Sequence, residues 1–332
     1  MHKIELIIGG NSSLDELAFL KNKYICEKIV ELQVEDDQSE KVLQLLSNSL
    51  CNVSHIYLSN SIDCGERKWV ALIASLGTAL QELIVCGELD VQLFFCNIAG
   101  RCLRLTKITL LSCEDVDAVS PLQSIASSCP GLRVLHMRAG LEYASPALAD
   151  ADLAALAEQC SMLEELQVYS LDFTDQAVIV LAQHCPRLKH LGLRTASKQL
   201  TSAALLALST HCPSLEELAI PWIPVPSPDL AARCAHALSR IRSLDTTFLD
   251  DACLPLASSH MTGLQTLLLD SQEDHLLVPA FLQHCTSLQT LSVCFNSSVT
   301  LEQLTALLAG NAGLQTLFLG SSMCLKRMLA AV

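Results

Sequence analysis

The stretch LAQHCPRLKHLGL occupies Leu181–Leu193. LSTHCPSLEELAI follows at Leu208–Ile220, 27 residues on, and FLQHCTSLQTLSV at Phe281–Val293. A recurring histidine–cysteine pair is either chemistry used several times or a part of the architecture. Its surroundings separate the two. In each copy the cysteine stands three residues before a hydrophobe that opens the pattern L-x-x-L-x-L.

That pattern fills the chain. With Ile, Val and Met allowed for Leu, it starts at Ile29, Val53, Leu80, Leu105, Leu132, Leu163, Leu188, Leu215, Ile241, Leu264, Leu288 and Leu314. Met1, Ile4 and Leu6 give a candidate thirteenth copy at the start. The spacings run from 23 to 31 residues, centred in the ~20–29 range of a strand-plus-helix repeat. Each copy has a second half of helical character. Asp150–Cys160, Thr174–Cys185 and Thr201–Cys212 are examples, with Thr174 and Thr201 placed as N-caps. Ser120–Gln123 and Thr300–Gln303 read as capping boxes. A strand and a crossover helix, many times over, predict an α/β solenoid: a curved horseshoe with parallel strands on the concave face and helices on the convex face. Residues 1–332 are read as a single domain of 12–13 units.

The run C-P-x-L-x-x-L-x-(L/I), preceded by (L/I)-A-x-x, matches best at Ile125–Met137, Leu156–Val168, Leu181–Leu193 and Leu208–Ile220. It resembles the cysteine-containing leucine-rich repeats of F-box/leucine-rich-repeat substrate receptors and mitotic-exit antagonist-type proteins. The resemblance implies a horseshoe fold and a protein-binding role, commonly in ubiquitination, with ubiquitin-ligase components among the partners. Repeats begin almost at Met1, so no F-box is expected in front of them.

Composition narrows the function classes. The chain is 51% apolar yet only 4% aromatic, so the core is aliphatic. Its most apolar window, Trp69–Cys86, is broken by Ser75, Thr78, Gln81 and Glu82 and is too short of apolar residues to span a bilayer. No secretory signal is visible, so the sixteen cysteines are expected reduced, in cytosol or nucleus. A net charge of −14 lacks the basic footprint of nucleic-acid or anionic-membrane binding.

The cysteines at 129, 160, 185, 212 and 285 all take the same slot, which suits a small buried thiol closing each helix. His184, His211 and His284 precede three of them, but adjacent residues near a helix end diverge. Stacked repeats also spread ligands along a line rather than converging them on a metal. No phosphate-binding glycine loop, H-E-x-x-H or G-x-S-x-G is present. The reading is therefore architecture, with no enzyme activity and no cofactor.

Side chains alternate across a strand, so the third and fifth positions of the motif, and the one after its last leucine, face outward. In the middle repeats these positions hold His136 and Arg138, then Gln167 and Tyr169, then His190 and Arg194. Arginine and tyrosine are favoured at interface hot spots. They are read as the partner-binding group, with Arg138 and Arg194 flanking an acidic or phosphorylated segment. Glu165 and Glu217 are placed in a neighbouring row, neutralising part of the group. Trp222, in the proline-rich rim loop Pro221–Asp229, is a further candidate. The alternatives are a small-molecule or phosphate-ligand receptor on the same face, and an enzyme using one Cys–His pair.

Overall fold

A computed structural model describes residues 4–9, 12–13, 15–35, 40–59, 66–87, 91–98, 100–111, 121–138, 148–169, 173–194, 200–220, 227–246, 259–270, 284–294, 305 and 309–320. Two compact units divide the chain, Met1–Tyr169 and Ser170–Val332.

In the first unit the order is β1 (Ile4–Ile8), α1 (Lys23–Cys26), β2 (Ile29–Val34), α2 (Glu40–Ser49), β3 (His55–Ser59), α3 (Glu66–Leu76), β4 (Glu82–Cys86), α4 (Val91–Ile98), β5 (Lys107–Leu111), α5 (Pro121–Ser128), β6 (Val134–Arg138), α6 (Asp150–Gln159) and β7 (Glu165–Tyr169). Each strand pairs in parallel with the next. The second unit holds α7 (Asp175–His184), β8 (His190–Arg194), α8 (Ser202–His211), β9 (Glu217–Ala219), α9 (Pro228–Leu238), β10 (Ser243–Thr246), β11 (Thr266–Asp270), β12 (Thr290–Cys294) and β13 (Thr316–Gly320). Its strands are parallel in sequence order too. Among the described residues no helix is long and apolar enough to cross a membrane.

Strands form where the motif predicts them, because its alternation buries every second side chain. In β3, β4 and β5 the pattern is half-buried, buried, half-buried, buried, half-buried. The buried members are the motif's leucines: Ile56 and Leu58, Leu83 and Val85, Ile108 and Leu110. The first unit differs in register from the sequence reading. Leu6 pairs with Leu32 and Ile8 with Val34, so the motif there runs two residues later than an alignment on Ile4 and Leu6. Ile8 is the buried side chain, whereas Ile4 and Ile7 are exposed.

The helices begin on the predicted caps. Thr174 Oγ1 accepts from Gln176 N and Thr201 Oγ1 from Ala203 N, satisfying N–H groups that the first helical turn leaves unpaired. The caps are also chained. Asp175, the first residue of α7, accepts both the Thr201 N–H at 2.6 Å and the Thr201 hydroxyl. The capping boxes read at Ser120 and Thr300 fall outside the described residues.

At the other helix end the cysteine has a defined task. The N–H groups of Cys129, Cys160, Cys185 and Cys212 close the last turn on the carbonyl four residues back, at 2.8–2.9 Å. Their carbonyls then accept from the strand-opening leucine three residues on, at 3.1–3.2 Å. The thiols also reach back one repeat. Cys160 Sγ donates to Cys129 O at 3.5 Å and Cys212 Sγ to Cys185 O at 3.7 Å. All five repeat cysteines are buried. A larger or charged residue would neither fit nor keep this ladder.

Helix α3 turns into β4 through Gly77, where backbone from the next repeat passes close. A Cβ on Gly77 would lie 2.6 Å from Arg101 O, 3.0 Å from Arg101 C and 3.1 Å from Cys102 Sγ. Two of these are backbone atoms, which cannot rotate away. Gly77→Ala is expected to cost about 2–3 kcal/mol in urea unfolding. Gly131→Ala, whose Cβ would first meet Leu103 O at 3.9 Å, should change stability by no more than about 0.5 kcal/mol. Equal effects at the two sites would refute this reading of the turn.

Candidate interaction face

The outward face follows from the burial alternation. In the first unit the third motif positions are Glu31, His55, Glu82, Lys107, Val134 and Glu165, one per strand from β2 to β7. Opposite charges meet across these strands. Glu82 lies 2.6 Å from Lys107 Nζ and 3.8 Å from His55 Nε2. The sequence reading passed over this ladder. Its signal was present, since these residues share one motif position in consecutive repeats.

Strands β6 and β7 place four of the expected residues side by side. The register sets His136 opposite Gln167 and Leu111 opposite Arg138. Arg138 closes β6 and Tyr169 closes β7; their side chains lie outside the described atoms. His136 is half-buried, and its Nε2 stands 3.4 Å from Glu165 Oε2 on the following strand. That contact is diagonal, from a fifth position to a third.

Unit two repeats the device on β8 and β9. His190 Nδ1 stands 3.6 Å from Glu217 Oε2, and the two residues are direct partners in the ladder. Glu217 therefore shares the row of His190, a correction to its placement in a neighbouring row. Gly192 occupies the fifth position and Arg194 closes β8. Trp222 falls outside the described residues.

The site chemistry is thus one of paired polar groups on a sheet face. Each histidine faces a carboxylate supplied by the next repeat. Ser292 on β12, at a fifth position that the motif turns outward, departs from this pattern. Its side chain is buried, in register between Leu268 and Phe318. A small residue between two large ones is covered by them.

The recurring cysteines are buried. Burial pushes the thiols of Cys160, Cys212 and Cys285 up to about 12 and that of Cys102 up to about 11. Cys129 is raised by the same cause, reinforced by Cys102 and Cys160. A thiol held protonated is neither nucleophile nor metal ligand.

Parallel strand, turn, capped helix and buried cysteine, repeated in the described residues, make a leucine-rich-repeat fold. No protein-family model matches the chain. Over 88 residues it is 32% identical to the F-box protein SKIP1 of Arabidopsis thaliana, a match that covers 26% of this chain and 26% of that protein. Among solved structures it is similar to a chain of the Rad7 and Elc1 complex in yeast, with a TM-score of 0.58 and 16% identity over 87% of this chain and 74% of that one. At that identity the likeness is one of fold.

Proposed function

We propose that the chain is a non-catalytic protein-interaction module, a substrate-recognition component in ubiquitination, that holds its partner on the outward sheet face. The observation that supports a binding face is the repeated device on β6 and β8. Each strand carries a histidine set against the next repeat's glutamate and ends on an arginine. The partner we assign to Arg138 in one unit and Arg194 in the other is an acidic or phosphorylated segment. Guanidinium groups bind carboxylate and phosphate in bidentate fashion. Ubiquitin-ligase components as further partners rest on the likeness to an F-box protein over a quarter of each chain. The buried, protonated repeat thiols favour interaction over catalysis.

The test is co-purification with the tagged native chain and with the double variant Arg138→Glu, Arg194→Glu, followed by mass spectrometry. The expected result is a cullin-ligase adaptor with the native chain, and selective loss of substrate-like partners with the variant. Truncating a buried or paired arginine contact costs about 2–5 kcal/mol, enough to remove a micromolar partner. Identical partner sets for both forms, without ligase components, would overturn the proposal.

A further inference from the structure

Between each helix and the next strand the chain makes a turn of two residues, the pair before the strand-opening hydrophobe. The first slot is proline at Pro130, Pro186 and Pro213, serine at Ser161 and Ser239, threonine at Thr78, Thr262 and Thr286, and Glu27, Cys51 or Ala312 in three others, so that none of these turns carries a large aliphatic side chain there. The turn before β5 departs from this. It reads Cys102-Leu103-Arg104-Leu105, and Leu103 is 63% exposed, the highest value among the large aliphatic side chains of the described residues. The turn does not require it. Leu105 N donates to Cys102 O at 3.0 Å, as Leu132 N does to Cys129 O at 3.1 Å beside a proline and a glycine. A single exposed leucine is ordinary on a protein surface; this one is set apart by the residues on either side of it.

Arg101 and Arg104 are both exposed, and neither forms an ion pair among the described residues. The next turn stacks directly alongside, with the Gly131 Cβ position 3.9 Å from Leu103 O. Beyond it Met162, in the second slot of the following turn, is again exposed, at 38%. Two exposed apolar side chains, Leu103 and Met162, thus stand on either side of the Gly131 turn, with the two arginines at the Leu103 end. Arg133 beside it is different, since its Nε donates to Glu164 at 2.7 Å.

We propose that this surface docks an acidic segment of a partner protein, an apolar side chain seated on Leu103 and carboxylates on Arg101 and Arg104. Charge complementarity selects that occupant. Two guanidinium groups with no ion pair among the described residues attract carboxylates, while a chain of net charge −14 repels a broad anionic surface such as a bilayer. A short segment meets the two arginines and little of the rest. The surface is independent of the sheet face. It precedes the first residues of β5 to β7, whereas Arg138 and Tyr169 stand at strand ends.

The test is fluorescence anisotropy of the full chain with synthetic peptides that carry aspartates around one leucine. Matched peptides have lysine for aspartate or serine for leucine, and vesicles containing phosphatidylserine form a separate arm. Saturable binding of the aspartate–leucine peptide is expected, with no binding of the lysine peptide. Arg101→Glu with Arg104→Glu should weaken it at least about tenfold, the loss of two charge-assisted contacts. Leu103→Ser should weaken it several-fold, and Lys23→Glu, a charge reversal at an exposed position on α1, should leave it unchanged. All three positions in the turn are exposed, so an unchanged melting temperature checks the fold of the variants. Binding that ignores the arginine reversals, a preference for the lysine peptide or the vesicles, or absence of saturable peptide binding would each overturn the proposal. Loss of peptide binding on reversal of Arg101 and Arg104, with Arg138 and Arg194 intact, separates this surface from the sheet face.

Discussion

Cys160, Cys212 and Cys285 are expected to alkylate with iodoacetamide at least about a hundredfold more slowly than Cys51 and Cys96 in the folded chain at pH 8. The first three are buried and the other two exposed. Burial raises those three thiols from 9.0 to about 12, which lowers their thiolate fraction about a thousandfold. A more basic thiolate is a better nucleophile, which returns part of that factor. Exclusion of the reagent from sites with almost no exposed surface takes it away again. Mass spectrometry of peptides after timed alkylation measures the ratio directly. If Cys212 reacted as fast as Cys51, the histidine–cysteine pair would be chemistry after all.

The same burial carries a consequence for alkaline stability. In the unfolded chain these thiols ionise near 9, while in the folded chain they stay protonated to about 12. Between those values the folded state binds more protons, so stability falls as pH rises. It is complete below pH 9 and is lost progressively above it.

Phe95→Ala is expected to destabilise the first unit by about 3–5 kcal/mol. Phe94 and Phe95 on α4 are both fully buried. Their rings meet edge to face, with centroids 5.3 Å apart at 76°, a geometry that adds about 0.5–1.5 kcal/mol to simple burial. The Phe95 carbonyl also accepts the Ser128 hydroxyl at 2.8 Å, which ties α4 to α5. Aromatics are 4% of this chain, so few neighbours are large enough to collapse into the vacated space. Repeat arrays unfold in parts. The measurement is therefore hydrogen exchange of the β4 and β5 amides under increasing urea, rather than one global transition. A loss below about 1 kcal/mol would show that the core around α4 repacks freely.

Much of the architecture could be read from periodicity, because periodicity is what builds it. A leucine every second residue buries one face of a strand, and this holds for Leu83 and Val85 as for Leu166 and Val168. Thr174 and Thr201 cap helices because a hydroxyl at that place reaches the N–H two residues on. The buried cysteines were legible because one slot held the same small residue repeatedly. The likeness to F-box/leucine-rich-repeat proteins rested on those same residues.

The candidate site was legible in part. His136, Gln167 and His190 do stand half-buried on the outward face. The glutamate each histidine meets was not fixed by the motif alone. His190 and Glu217 share a motif position and could have been paired by alignment, but His136 reaches Glu165 along a diagonal.

What the sequence determined by itself is the repeat: where strands and helices lie, which side chains are buried and which turn outward. Those are properties of a single strand or helix, set by local spacing. Tertiary structure decided the rest. It set the two-residue shift at β1, the burial of Ser292 between Leu268 and Phe318, the close backbone at Gly77 and the ordinary contact distance at Gly131, and the exposure of Leu103. Each depends on what the next repeat, some 25 residues away, brings alongside. Contact between repeats is a matter of stacking in space, and no local spacing encodes it.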